Sequence, residues 1–111
     1  MDTFIALEVA HLAAAASFDL VKDLPRSHGL RDQLERAGAA VPLHVAEASG
    51  RRGAAQKARY ETAYGEAREA HSAVRVLRDA RLVDPDAAAE TLDLWDRSKA
   101  LLWRLRHPRR R

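Results

Sequence analysis

The chain has 111 residues, of which 47% are hydrophobic, 32% charged and 5% aromatic, with a formal net charge of +3. That length makes a single domain whose core must be packed mainly by alanine and leucine. The absence of cysteine excludes a disulfide framework, thiolate metal ligation and a cysteine nucleophile, and fits a cytoplasmic location.

Glycine and proline clusters at Pro25–Gly29, Ser49–Gly53 and Leu82–Pro85 divide the chain into four pieces of similar length, none with strand-like alternation. The spacing predicts helices over about 3–24, 30–49, 54–80 and 85–106. Short loops between them imply an all-α, antiparallel up-down four-helix bundle over residues 1–107, followed by a basic tail at 108–111.

The first helix carries two apolar stripes. Phe4, Leu7, Ala14, Phe18 and Val21 form one; Ile5, Val9, Leu12, Ala16 and Leu20 form the other, with Glu8, Asp19 and Lys22 in a narrow polar wedge. One stripe serves the bundle's own core, so the other is expected to be covered by another copy of the chain. Ile5, Val9 and Leu12, with Leu43 on the outer face of the second helix, are the expected oligomer contacts. Asp2 and Glu8 stand where a signal peptide would be basic, and no apolar run is expected to reach the roughly 18 residues of a membrane span. Glu8 and His11 have the Glu-x-x-His spacing of di-iron bundles. The rest of that ligand set is missing: His44-x-x-Glu47 runs in reverse order and the fourth helix has no histidine before His107. His11 is therefore expected to be a hydrogen-bonded core or interface residue, and no metal or other cofactor is expected.

In the second helix Leu30, Leu34, Ala37, Val41, Val45 and Ala48 form one core stripe, interrupted by Pro42, which predicts a bend near Gly38 to Val41. Gly50 and Gly53 are expected to turn the chain and expose Arg51 and Arg52, with Glu47 one turn earlier as an ion-pair partner. That loop lacks the spacing of a phosphate-binding P-loop. The third helix places Tyr60, Ala63, Ala67, Ala70, Val74 and Leu77 inward, and the fourth begins at an Asp84 N-cap with Pro85 at its first position. Leu92, Trp95, Leu102 and Leu105 point toward the core, and both Trp95 and Trp103 are expected to pack there.

Several of these residues also resemble a known family. Phe4, Leu7, Glu8 and Val9, then Leu24-Pro25, Gly29-Leu30, Gln33-Leu34, Arg36-Ala37, Pro42, Ala46-Glu47 and Arg51-Arg52 are similar to the four helix bundle protein family, first noticed as reading frames in intervening sequences of bacterial large-subunit ribosomal RNA genes. Arg36, Pro42, Ala46 and Glu47 are the residues that the resemblance assigns to the family motif. Where similar proteins read Pro-(small)-Asn-Ile-Ala-Glu-Gly, this chain has Pro42-Leu43-His44-Val45-Ala46-Glu47-Ala48, without the amide or the early glycine. The resemblance implies a ring-like homo-oligomer, a pentamer, with no enzymatic activity. Related bundles are accessory subunits of reverse transcriptases in diversity-generating retroelements.

Charge points to a partner. Residues 1–50 carry four Lys or Arg against seven Asp or Glu, whereas residues 51–111 carry fifteen against nine. Arg51, Arg52, Lys57, Arg68, Arg75 and Arg78, with Tyr64 among them, and Arg104, Arg106, Arg109, Arg110 and Arg111 at the end, form the candidate nucleic-acid surface. The expectation is a non-catalytic oligomeric bundle that binds structured RNA or DNA, or serves as a protein adaptor for a nucleic-acid enzyme; no membrane partner is expected.

Overall fold

Helices form where the apolar periodicity places them: α1 (Asp2–Leu20), α2 (Gly29–Ser49), α3 (Gly53–Asp79) and α4 (Pro85–Arg106). These bounds come from a computed structural model, which describes residues 2–106. Each helix packs on its neighbour in the chain and α4 also packs on α1, which closes a four-helix bundle with extents of 46 × 23 × 17 Å. No strand occurs among the described residues.

The helix ends follow from local chemistry. Asp84 Oδ2 accepts from the Ala87 N–H at 2.8 Å, the N-cap bond expected of it. α1 stops at Leu20, four residues before the expected end. Pro25 disfavours helical backbone at Leu24, and the segment between closes in tight turns, with the Leu24 N–H bonding Val21 O at 3.0 Å. Arg31 fastens this corner by donating to the carbonyls of Lys22 and Leu24 while pairing with Glu35. α2 starts on His28, whose Nδ1 accepts from the Leu30 N–H. At the α2–α3 turn only Gly53 needs glycine, with φ +57°, and Gln56 donates to Ala48 O and Arg51 O.

α3 ends in a Schellman turn: the Leu82 N–H bonds Leu77 O and the Arg81 N–H bonds Arg78 O. Arg81 occupies the left-handed position usually given to glycine, at φ 60°. Arg81→Gly is expected to raise stability by about 1 kcal/mol, relief of side-chain strain exceeding the added unfolded-chain entropy; a thermal melt shifted upward by about 4 °C would show it.

The core stripes of α2, α3 and α4 are buried as expected except at Leu30 and Leu105, which are half-buried against the core, with Leu34, Val41, Val45, Leu77, Trp95 and Leu102 fully enclosed. α2 continues through Pro42, which is itself buried; the missing N–H leaves the Gly38 carbonyl without its usual helical partner. α1 buries only part of each expected stripe: Ala14 and Val21 of the first and Val9 of the second join Ala6, Ala10, Ala13 and Ser17, which lie between them, on its inner face. Small side chains let α1 approach the Trp95 indole, whose Nε1–H donates to Ser17 Oγ at 2.9 Å while Ser17 donates to Ala13 O. Val9 therefore belongs to the chain's own core and leaves the expected oligomer contacts.

The outer half of α1 carries exposed apolar side chains on both sides of Glu8, His11 and Asp19: Phe4 is 66% exposed, Leu12 56%, Phe18 43% and Ile5 39%. The expectation about membrane length also needs correction. Thr3–Leu20 reaches a mean hydropathy of 1.4 over 18 residues, long and apolar enough for a span by composition, because its many alanines outweigh Glu8 and Asp19. In the bundle this same helix contributes its alanine face to the shared core.

Candidate nucleic-acid interface

The expected basic surface divides into two unlike halves. Lys57, Tyr64, Arg68 and Arg75 follow at i, i+7, i+11 and i+18 and so share one flank of α3. Toward the C-terminal end of α3, acids from both α3 and α4 lie beside the cations. His71 Nε2 meets Asp96 Oδ1 at 3.1 Å, Lys99 Nζ approaches the same oxygen at 3.5 Å, and Arg78 pairs with Asp79 at 2.9 Å. His71, Arg75 and Arg78 face Asp93 and Asp96 across an open groove of about 480 Å³. Charge there is partly balanced within the chain: Arg78 is answered on α3 itself and Lys99 on α4 itself, while His71–Asp96 crosses between the two helices, a pairing that a count along the sequence misses.

Burial lowers the pKa of His71 below the usual 6.5, and Lys99 and Arg75 push the same way against the pull of Asp96. The unfolded chain therefore takes up this proton more readily than the folded one, so this contribution to stability is present above pH 6.5 and is lost as pH falls below it. Glu66, raised by burial and by Glu69, has the opposite sign and acts at lower pH. His71→Gln is expected to flatten the loss of urea stability between about pH 6.5 and 5, an effect of less than about 1 kcal/mol. An unchanged slope would mean that His71 protonates freely in the fold.

The other half is aromatic. The Tyr64 and Trp103 ring centroids lie 5.7 Å apart at 56°, and the Arg106 guanidinium carbon lies 4.7 Å from the Tyr64 centroid and 4.5 Å from that of Trp103. Trp103 is 48% exposed, which overturns its placement in the core. The signal was present in the spacing: Trp103 directly follows Leu102 and is turned about 100° from the inward line of Leu92, Trp95 and Leu102. Tyr64 is half-buried, with Arg106 over its ring. Arg106 Nε is buried with no hydrogen-bond partner among the described residues. Lys57 and Arg68 are exposed on the same flank and form no ion pair among the described residues.

The remaining expected residues lie elsewhere. Arg51 pairs with Glu47 at 3.1 Å, and Glu47 also holds Arg59 at 3.3 Å, an arginine the sequence reading passed over. Arg59 reaches His44 Nδ1 as well, at 3.3 Å. Glu47 thus ties the end of α2 to α3, while Arg52 is exposed at the start of α3, about 18 Å along the helix axis from Tyr64. Arg36 makes a long exposed contact with Asp32, and Ala46 is exposed. Arg104 is exposed; Arg75 is exposed at the rim of the balanced groove. Arg109, Arg110 and Arg111 lie outside the described residues. Glu8 and His11 are both exposed on the outer face of α1, which removes the core alternative expected for His11. No group of three or more His, Cys, Asp or Glu able to hold a metal occurs among the described residues.

The family model described as 23S rRNA-intervening sequence protein matches residues 3–104. The chain belongs to that family. Within the 23S rRNA-intervening sequence proteins the match takes in nearly all of the four helices, Lys57, Tyr64, Arg68 and Trp103 included, and stops short of Arg106. The fold is also similar to the crystal structure of a protein of unknown function from the S23 ribosomal protein family of Bacteroides thetaiotaomicron. That comparison has a TM-score of 0.82 at 14% identity, covering 96% of this chain and 99% of the other. At that identity the likeness concerns the fold alone. Among curated proteins no sequence matches.

Proposed function

We propose that the chain is a non-catalytic, cytoplasmic nucleic-acid-binding module: an antiparallel up-down bundle that joins copies of itself into a ring-like homo-oligomer, a pentamer, and presents the α3–α4 flank to RNA or DNA. The observation that carries the reading is the grouping of Lys57 and Arg68, exposed and unpaired among the described residues, with the Tyr64–Trp103 rings and Arg106 on one flank. From Arg106 the sequence continues as His107-Pro108-Arg109-Arg110-Arg111, which adds to the positive charge of the chain. Cations bind the phosphate backbone through counterion release, and rings interleaved with them stack on bases. A net charge of +3 per chain is modest, but repetition around an assembly raises the effective concentration of each further contact. No nucleophile is proposed: Ser17 and Ser98 are buried, and the His71–Asp96 pair touches no hydroxyl among the described residues.

The test is fluorescence anisotropy of labelled structured RNA and duplex DNA across a salt series. Sub-micromolar binding near ~0.15 M salt is expected, with a salt slope reduced by up to about 2 in the Lys57→Gln/Arg68→Gln variant. Absence of binding at ~10 μM protein under the same conditions overturns the reading. A second reading, a protein adaptor for a nucleic-acid enzyme such as a reverse transcriptase, is favoured by the apolar outer face of α1 and by Leu43, 69% exposed on α2. A reverse transcriptase gene beside this one would support it.

A further inference from the structure

We infer that the Trp103–Tyr64–Arg106 cluster is a stacking site for an unpaired RNA base, so that each subunit takes single-stranded loops in preference to continuous duplex. The inference rests on the reading that the α3–α4 flank binds nucleic acid, and it names the part of the nucleic acid that this flank selects.

Three observations converge on a flat, acceptor-bearing ligand. Trp103 keeps about half its surface open to water although Tyr64 and Arg106 both pack against it. An indole edged by a tilted phenol and a guanidinium forms a platform of π-faces and a planar cation, the two surfaces on which nucleobases stack. Arg106 Nε, in contrast, is a buried charged donor with no partner among the described residues, a costly state that a base carbonyl, ring nitrogen or phosphate oxygen would relieve. The flank around this platform bears Lys57 and Arg68, unpaired among the described residues, which favour a polyanion.

The same observations weigh against the other ligand of aromatic cages, a quaternary or methylated ammonium. Such a cation gains from the ring quadrupoles only if no other cation is using them. Here Arg106 already lies 4.7 Å and 4.5 Å from the two ring centroids, and the flank repels a second positive charge. A continuous duplex fares little better, because its bases present edges, not faces, and reach Trp103 only after unstacking. Loops, bulges and ends have already lost that stacking. RNA supplies them in quantity, and on this account the phosphate contacts set affinity while the rings set the preference for unpaired nucleotides.

The experiment uses the full 111-residue chain. An RNA hairpin with a purine loop, a blunt RNA duplex with the same number of phosphates, and a single-stranded DNA of the loop sequence are titrated by anisotropy and by tryptophan fluorescence. Trp95 is fully buried, so quenching on contact reports Trp103. The hairpin is expected to bind at least about tenfold more tightly than the duplex and to quench the emission. Trp103→Ala is expected to lose about tenfold on the hairpin with the salt slope unchanged and duplex binding unaffected, and Trp103→Phe to retain most hairpin affinity without quenching. Arg68→Gln is expected to weaken hairpin and duplex alike and to reduce the slope. Equal binding of hairpin and duplex, unquenched and indifferent to Trp103→Phe and Trp103→Ala, overturns the stacking site while leaving the nucleic-acid reading in place. Absence of binding to all three overturns both, and tighter binding of the DNA strand overturns the assignment to RNA.

Discussion

Trp95→Ala is expected to destabilise the fold by about 3–5 kcal/mol, enough to remove much of the 5–15 kcal/mol that holds a domain of this size together. Trp95 is the largest fully buried side chain, and the core around it is built mainly of alanine and valine. Such neighbours have no flexible side chains with which to refill the space, so the cavity term is expected to be near its upper range. The substitution also removes the indole donor to Ser17 Oγ and leaves a buried hydroxyl with its donation to Ala13 O alone. Trp95→Phe separates the two effects: it keeps most of the ring, loses the N–H, and is expected to cost less than half as much. Ser17→Ala makes the complementary deletion and strands the indole N–H, at about 1–3 kcal/mol. Gly38 marks the other wall of the same site: a Cβ there would lie 3.5 Å from Trp95 Cζ2, so alanine fits and a longer side chain collides with the ring. Urea melts followed by circular dichroism measure each loss. A cost under about 2 kcal/mol for Trp95→Ala would mean that α1 and α2 collapse onto the vacated volume.

The helices that were legible in the sequence are those with contrast around their circumference. α2, α3 and α4 alternate apolar and charged residues at spacings of three and four, so Leu34, Ala67, Val74 and Leu92 identify their inner faces before any packing is known. α1 lacks that contrast. Apolar residues surround it, and periodicity offers two large-residue stripes where the bundle uses the alanines between them, a choice set by the volume of Trp95 across the core. The candidate surface was half legible for a related reason. Spacing along α3 places Lys57, Tyr64, Arg68 and Arg75 on one flank, but whether a cation is balanced depends on the helix beside it. Asp96 of α4 answers His71 of α3, whereas Lys57 and Arg68 have no such partner among the described residues. Trp103 was misplaced because composition alone makes tryptophan a core residue; its angle relative to Leu102 carries the correct answer.

The triple variant Phe4→Gln/Leu12→Lys/Phe18→Gln is expected to convert the proposed assembly to a monomer without loss of helix. Scattered exposed apolar residues are ordinary on a protein surface. The outer half of α1 is different, because Phe4 and Phe18 on one side and Ile5 and Leu12 on the other flank Glu8 and Asp19 on a single helix. Burying each of the three replaced side chains against another copy contributes about 1.5–3 kcal/mol, so their joint loss exceeds what a micromolar assembly of modest interface has in reserve. The replacements are good helix formers, and Lys at position 12 stands four residues after Glu8, in the orientation that supports an isolated helix. Helicity and the Trp95 environment should therefore persist while the mass in multi-angle light scattering falls to that of one chain. Leu43→Glu tests separately whether the outer face of α2 takes part: an assembly that survives it confines the contact to α1. A wild-type protein that is already monodisperse and monomeric at ~10 μM would remove self-association and leave this apolar face to a different protein, the arrangement the adaptor reading requires.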